Sequence, residues 1–461
     1  MRVSLNERDS SEAMSDADVR RLTTQQFAGP PLSQTSLTLL VVASMIGAGA
    51  YTTSGFAVAD LGSPAWVMVA WVLAGFVAFC GAVGYGLLTQ RLCDNGGEYL
   101  YLSRFIHPVA GFIAGWVSLL AGFTGAGAFA AIAFASYANP KTSNDAADSI
   151  LAMGLIATAT LMHCQPRRRG VLGQNTIVIV KLVILSGFIA TCYAMLGRWN
   201  IDSPAASGLS PTSLTSRWPG WLPLATTIMW TSLSYSGFNA SIYVAGDARD
   251  GSKGVARAMI IATVAVIGIY CLLNAAFVYG PSADSIRGQR DVAAIAAKSI
   301  GGSPLELLVR IAICFGLASS VSSVLMIGPR VYAKMAQDGV FPKWFDSPQA
   351  PRRMILAQGL AMMVVAGIAD LRGLLSYLSL TLALSAALTV ATLFRSVHRS
   401  TSNWSIAHGL AAIYVVSTLI LAGLTARHQP MQAYAALLTL TSGWLAYVAM
   451  HWLRRRKEIA G

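Results

Sequence analysis

Two runs of small and polar residues interrupt apolar stretches where strong helix formers are expected. The first is Ile46-Gly47-Ala48-Gly49-Ala50, and the second is Ser234-Tyr235-Ser236-Gly237-Phe238-Asn239. Glycine weakens a helix interior by about 1 kcal/mol relative to alanine. A break at either run frees backbone N–H and C=O groups that hydrocarbon cannot satisfy, so protein, water or a ligand has to complete their hydrogen bonds. Free N–H groups and a helix N-terminus suit an anion, and free carbonyls suit a cation. Small residues in an apolar helix also serve close helix packing, and sequence alone leaves both accounts open. A third residue stands out for its chemistry. Lys181 lies inside Thr176-Ile177-Val178-Ile179-Val180-Lys181-Leu182-Val183. An ionisable group at that depth is costly and marks a functional position by default, although a long side chain can also snorkel to the interface.

The elements that hold these residues follow from composition. The 461-residue chain is 55% hydrophobic and 11% charged, with a mean hydropathy of +0.57. Soluble domains carry about 25% charged residues. Apolar stretches long enough to cross ~30 Å of hydrocarbon recur along the whole chain. The pattern predicts an all-α membrane protein of twelve helices. Their expected spans are Thr35–Phe56, Pro64–Leu88, Phe105–Ala138, Ala147–Cys164, Thr176–Leu196 and Leu222–Gly246 in the first half. Ala258–Tyr279, Leu305–Met335, Met354–Ala369, Leu374–Phe394, Ile406–Leu424 and Tyr434–Trp452 make up the second. The two interrupted runs then fall near mid-depth in the first and sixth helices, five helices apart. Paired breaks at corresponding positions point to a transporter built from inverted repeats. Residues 291–300, with an Ala-Ile-Ala-Ala pattern, are expected to form a short helix outside the membrane.

The net charge of +13 raises the question of nucleic acid, and its placement answers it. Of 33 lysines and arginines, 23 fall in the two ends and in alternate loops, as the positive-inside rule requires of a multi-pass protein. Arg167-Arg168-Arg169 and Arg454-Arg455-Arg456-Lys457 therefore read as topology signals, and no nucleic-acid partner is expected. Both ends are expected in the cytoplasm, in a plasma (inner) membrane. Residues 1–34 read as a polar, disordered tail without a cleavable signal peptide, 35–396 as the core of helices one to ten, 397–453 as two peripheral helices, and 454–461 as a basic tail. Six cysteines show no CxxC spacing and six histidines no HxxxH pair, so neither a metal, a cofactor nor intramembrane catalysis is expected. No repeated filter motif suggests a channel. Arg310 follows Glu306 by four residues, which predicts an ion pair along one helix.

Several motifs, in order, resemble the amino acid–polyamine–organocation superfamily, nearest in character to its cationic and L-type amino acid transporter branches. Ile46-Gly47-Ala48-Gly49 is similar to the family's unwound segment. Gly96-Gly97-Glu98-Tyr99-Leu100-Tyr101, followed by His107-Pro108 and Gly115-Trp116, is similar to its entry into helix three. Asp250-Gly251-Ser252-Lys253-Gly254-Val255-Ala256-Arg257-Ala258 resembles its run after helix six. Arg330-Val331-Tyr332-Ala333 and Met335-Ala336-Gln337-Asp338-Gly339-Val340-Phe341-Pro342 resemble its signature after helix eight. The resemblance spans about Leu32 to Phe345.

It implies five-plus-five inverted repeats and a central site for a zwitterionic amino acid. The expected carboxylate cradle is the backbone of Ala48, Gly49 and Ala50, flanked by Gly47. Carbonyls of Met45, Ile46, Leu233, Ser234 and Ser236 are the expected ammonium acceptors, with Asn239 beside them. A lysine on helix five of sodium-independent relatives stands where a sodium ion would otherwise bind. Lys181 matches it, with Ser319 or Ser320 as expected partners. Lys181 is expected either to couple transport to a proton or to stand as a fixed structural cation, and no acidic residue falls mid-span, so the expectation is sodium-independent, proton-coupled uptake of a neutral amino acid. Exchange, polyamine transport and a nontransporting sensor are the alternatives, and no partner subunit is evident. Leu233 stands where the family often has an aromatic gate.

Overall fold

The computed structural model describes residues 31–139, 145–164, 171–195, 197, 218–337, 341, 350–397 and 405–460. The expected N-terminal tail, the Arg167–Arg169 block and most of the connection before Trp218 lie outside the described residues. Numbering in chain order, α1 is Gln34–Met45, α2 Gly49–Leu61, α3 Pro64–Arg91, α4 Gly97–Phe105 and α5 Pro108–Val117. A π-helical stretch, Ser118–Gly125, joins α5 to α6, Ala126–Ala138. Then come α7 (Asp145–His163), α8 (Val171–Ala194), α9 (Trp221–Ser234), a 3₁₀ segment at Ala240–Asp247 and α10 (Gly251–Tyr279). The rest are α11 (Ala283–Ile286), α12 (Val292–Gln337), α13 (Ala350–Ile368), α14 (Leu371–Val397), α15 (Ile406–His428) and α16 (Pro430–Ala460).

Among the described residues, nine helical stretches are long and apolar enough to cross a membrane. They account for nine of the twelve expected spans. The expected fifth is helical as α8 and apolar throughout the part whose side chains are described, Ile179–Ala194, while the sixth and ninth are helical as α9 and α13 but do not reach that measure. The sixth fails because it stops at Ser234, and the ninth because Arg352, Arg353 and Gln358 dilute its apolar run. α12 joins two helices across a kink, the short helix expected at 291–300 and then the expected eighth span. Gly302, at φ 72°, turns the chain between that stretch and the long helix.

Val72, Leu73, Phe76, Ile261, Val264 and Ile420 are exposed on the outer surface of the bundle. So large an apolar exterior is unfavourable in water and favourable in lipid. The protein is a multi-pass membrane protein. Inside, α3 packs along α10 and α15, and α10 along α1. Trp71, Tyr235 and Tyr270 form the fully buried knot at their junction, with ring centroids 5.1–5.7 Å apart. The Trp71 indole N–H donates to Ser54 Oγ at 3.0 Å, and Ser54 donates to Asn274 Oδ1 at 2.7 Å. These bonds fix α2 against α3 and α10, which positions the breaks described next.

The two ends of the bundle differ. At the Leu32 end, Leu32 exchanges backbone hydrogen bonds with Asp247 and Arg249 at 2.8 and 2.9 Å. At the Gly62 end, Arg372 pairs with Asp60 and lies 5.2 Å over the Trp230 ring. Nearby, Arg310 pairs with Asp291 at 2.7 Å and, as expected, with Glu306 at 3.0 Å.

Candidate functional site

The first membrane helix is broken. α1 stops at Met45, Ile46 is extended (φ −76°, ψ 92°), and α2 starts at Gly49 without a side-chain cap. The leading N–H groups of α2 therefore have no acceptor within the helix. α9 also stops, at Ser234, and the chain passes through turns to the 3₁₀ segment. Gly237 makes this possible at φ 96°, and a Cβ there would lie 2.7 Å from the Ser44 carbonyl oxygen. Gly49 permits the close approach of the two breaks, since its added Cβ would lie 2.5 Å from Ser234 Oγ.

Both breaks open onto a cavity of about 980 Å³ that extends to the Leu32 end. Met45, Ile46, Gly47, Ala48, Gly49, Leu233, Ser234, Ser236, Asn239, Lys181, Ser319 and Ser320 all line it. Ala50, also read as part of the cradle, is fully buried and is not in the lining. No residue of 51–62 or 286–310 reaches the cavity, so its Gly62 end is closed by packed chain. There Gly288 N–H donates to the Gly55 carbonyl at 2.8 Å, and Tyr137 donates to the Tyr51 carbonyl at 2.7 Å.

Several of the carbonyls read as ammonium acceptors already carry a protein donor. The Tyr270 hydroxyl lies 2.6 Å from the Met45 carbonyl oxygen and 3.2 Å from that of Ser234, and so ties the two breaks together. The Leu233 carbonyl accepts from Ser236 N–H at 3.0 Å. Lys181 Nζ donates to the Ile46 carbonyl, and its Cε would lie 3.6 Å from a Cβ added at Gly316 of α12. Each carbonyl oxygen has a second lone pair, so these contacts leave room for a ligand. The Ser320 hydroxyl donates to Gly316 of its own helix at 3.0 Å.

Three features of the site are not legible in the sequence. Tyr270 looks like one more apolar core residue until the break places two carbonyls above its hydroxyl. The π-helical stretch brings Ser118, Gly122 and Phe123 into the lining. Such turns are rare and cluster at functional sites. The third is Glu98, on the short helix α4 rather than in any span, which lines the cavity at only 7% exposure. Tyr85 donates to its Oε1 at 2.7 Å, Asn239 Nδ2 to the same oxygen at 3.1 Å, and Ser385 to Oε2 at 2.6 Å. The Asn239 amide, read as a substrate contact, is thus held by a carboxylate.

Two helix breaks thus line one cavity. The family model described as amino acid permease matches residues 32–451. The chain belongs to the amino acid permease family. This permease is 23% identical over 310 residues to the human large neutral amino acids transporter small subunit 2, covering 66% of the chain and 57% of that protein. It is 22% identical over 312 residues to the mouse Asc-type amino acid transporter 1, covering 66% of the chain and 58% of that protein. An uncharacterized transporter of Mycobacterium bovis is 23% identical over 346 residues, 73% of each chain. The permease thus spans under two thirds of the length of the first two relatives. The family and these relatives are transporters in the amino acid–polyamine–organocation superfamily, not enzymes.

Proposed function

We propose that this permease carries a neutral amino acid across the plasma membrane by sodium-independent, proton-coupled symport, with both chain ends in the cytoplasm. In this reading residues 35–396 form ten helices in two inverted halves, and 397–453 add two peripheral helices. One observation carries it: the backbone ends of two interrupted helices line a single cavity. A zwitterion needs donors at one end and acceptors at the other, which is what a helix start and a helix end offer side by side. The uncapped start of α2 at Gly49 takes the carboxylate, and carbonyls around Ile46 and Ser236 take the ammonium group. Lys181 holds the place of a bound cation, joining α8 to the first break. The printed names of the human and mouse relatives, for large neutral and Asc-type amino acids, support the substrate class.

The test is the purified protein in liposomes, given a panel of labelled amino acids and a polyamine under an inside-alkaline pH step, with and without sodium. The expected result is accumulation of a neutral amino acid that follows the pH step and ignores sodium. Movement only in the presence of internal amino acid replaces symport with exchange. Uptake of the polyamine alone overturns the substrate class.

A further inference from the structure

The Glu98 carboxylate has a setting that a purely structural acceptor does not need. It is buried, it lines the cavity, and no lysine, arginine or histidine among the described residues forms an ion pair with it. Burying an unpaired charge is costly, and glutamine would accept from Tyr85 and Asn239 through its one oxygen, with the Ser385 hydroxyl turning to accept from its amide, without that cost. Its three donors come from three separate elements. Tyr85 belongs to α3, Asn239 to the turn after the α9 break, and Ser385 to α14. With α4 itself, four segments meet at this carboxylate. The titratable groups that face Glu98 are the phenols Tyr85 of α3, Tyr243 of the 3₁₀ segment and Tyr414 of α15. The ring of Phe238 packs between Tyr85 and Tyr414, at centroid distances of 5.8 and 6.1 Å.

Hydrogen bonds to an ionised acceptor are roughly twice as strong as those between neutral groups. The protonation state of Glu98 therefore sets how firmly three elements hold to α4. We propose that Glu98 is a proton-binding site of the transport cycle, whose carboxylate clamps α3, α14 and the chain after the α9 break when ionised and releases them when it takes one proton from water in the cavity. The inference rests on the transport reading and deepens it by naming where a proton binds. Burial pushes the Glu98 carboxyl up from the ordinary carboxylate range, and the bonds from Ser385, Tyr85 and Asn239 pull it part of the way back. That balance suits a group that gains and loses a proton as its surroundings change.

The experiment has two arms. Infrared difference spectra of purified protein between acid and alkaline buffer report protonated carboxyl groups without any substrate. The expected result is a protonated-carboxyl band that disappears in Glu98→Gln. In Ser385→Ala, which removes one donor to the ionised form, the midpoint of that band moves to higher pH by about one unit. A band that persists in Glu98→Gln, or a midpoint unmoved in Ser385→Ala, overturns the proposal. The second arm measures accumulation in liposomes under a pH step of one unit, using the neutral amino acid that wild type takes up best. One coupled proton permits about tenfold accumulation at that step. Wild type approaches this ratio, Glu98→Gln falls to about one, and Glu98→Asp recovers part of it. Tenfold accumulation by Glu98→Gln overturns a coupling role. Wild type that fails to accumulate while its band depends on Glu98 refutes the symport reading and leaves the proton site standing.

Discussion

Replacing Gly237 by alanine is the most direct test of the paired breaks. Its φ of 96° lies where side chains are disfavoured, which costs on the order of 1–2 kcal/mol for a residue with a Cβ. The new Cβ would also lie 2.7 Å from the Ser44 carbonyl oxygen and 2.8 Å from its carbon, both backbone atoms that cannot rotate away. Relieving such an overlap typically costs about 1–3 kcal/mol. The two together come to about 2–5 kcal/mol, and at 1.4 kcal/mol per tenfold the native pairing of the breaks falls roughly 30-fold to several thousandfold. The assay is the initial rate of labelled amino acid uptake in liposomes, at matched protein incorporation and a checked size-exclusion profile. Gly268→Ala is the control, because it sits in α10 with no heavy atom within 4 Å of an added Cβ. Its uptake should match wild type, while that of Gly237→Ala falls by at least an order of magnitude. Equal rates for both variants would show that the pairing at Gly237 does not matter to transport.

Three further outcomes follow from contacts around the same cavity. Lys181→Ala removes a charge-assisted bond to the Ile46 carbonyl, a contact of about 1.5–3 kcal/mol, so uptake should fall roughly 10- to 150-fold; uptake close to wild type would count against any role at the break. Tyr270→Phe leaves the carbonyls of Met45 and Ser234 without the hydroxyl they share, which costs about 1–3 kcal/mol and should lower both uptake and the Tm in detergent. A variant with wild-type values for both would mean that the hydroxyl is dispensable. Trp71→Phe takes the indole donor from Ser54 and should destabilise the fold by about 1–3 kcal/mol, seen as a lower Tm by size exclusion after heating, while leaving substrate preference unchanged. A changed preference would mean that Trp71 acts on the cavity itself.

The breaks and the buried lysine were legible in the sequence because each violates a local rule. Gly47, Gly49 and Gly237 are poor helix residues in apolar surroundings, and Lys181 is a charge where charges are rare. Ala50 lies outside the cavity lining for the opposite reason. Its place one residue into α2 turns it away from the cavity, and that direction depends on where the helix restarts. The burial of Glu98 is not legible because the residue sits in a polar stretch between two spans, where an acid normally faces water. It is buried because α4, α14 and the chain after Ser234 converge there, and contacts between residues hundreds of positions apart leave no trace in local composition. The expected hydroxyl partners of Lys181 also depended on such distant geometry. The lysine reaches the Ile46 carbonyl, and Ser320 turns to its own helix.

The π-helical stretch at Ser118–Gly125 has a geometric consequence for everything that follows it. One surplus residue in a helical turn rotates the downstream portion by on the order of 100° relative to a continuous α-helix. That offset lets one rod face two audiences. Before it, Trp116 reaches Ser442 of α16 at 3.1 Å, and after it Tyr137 reaches the backbone of Tyr51 and Ala293. Deleting a single residue between them would straighten the rod and swing Tyr137 away from both, although every remaining side chain would be unchanged.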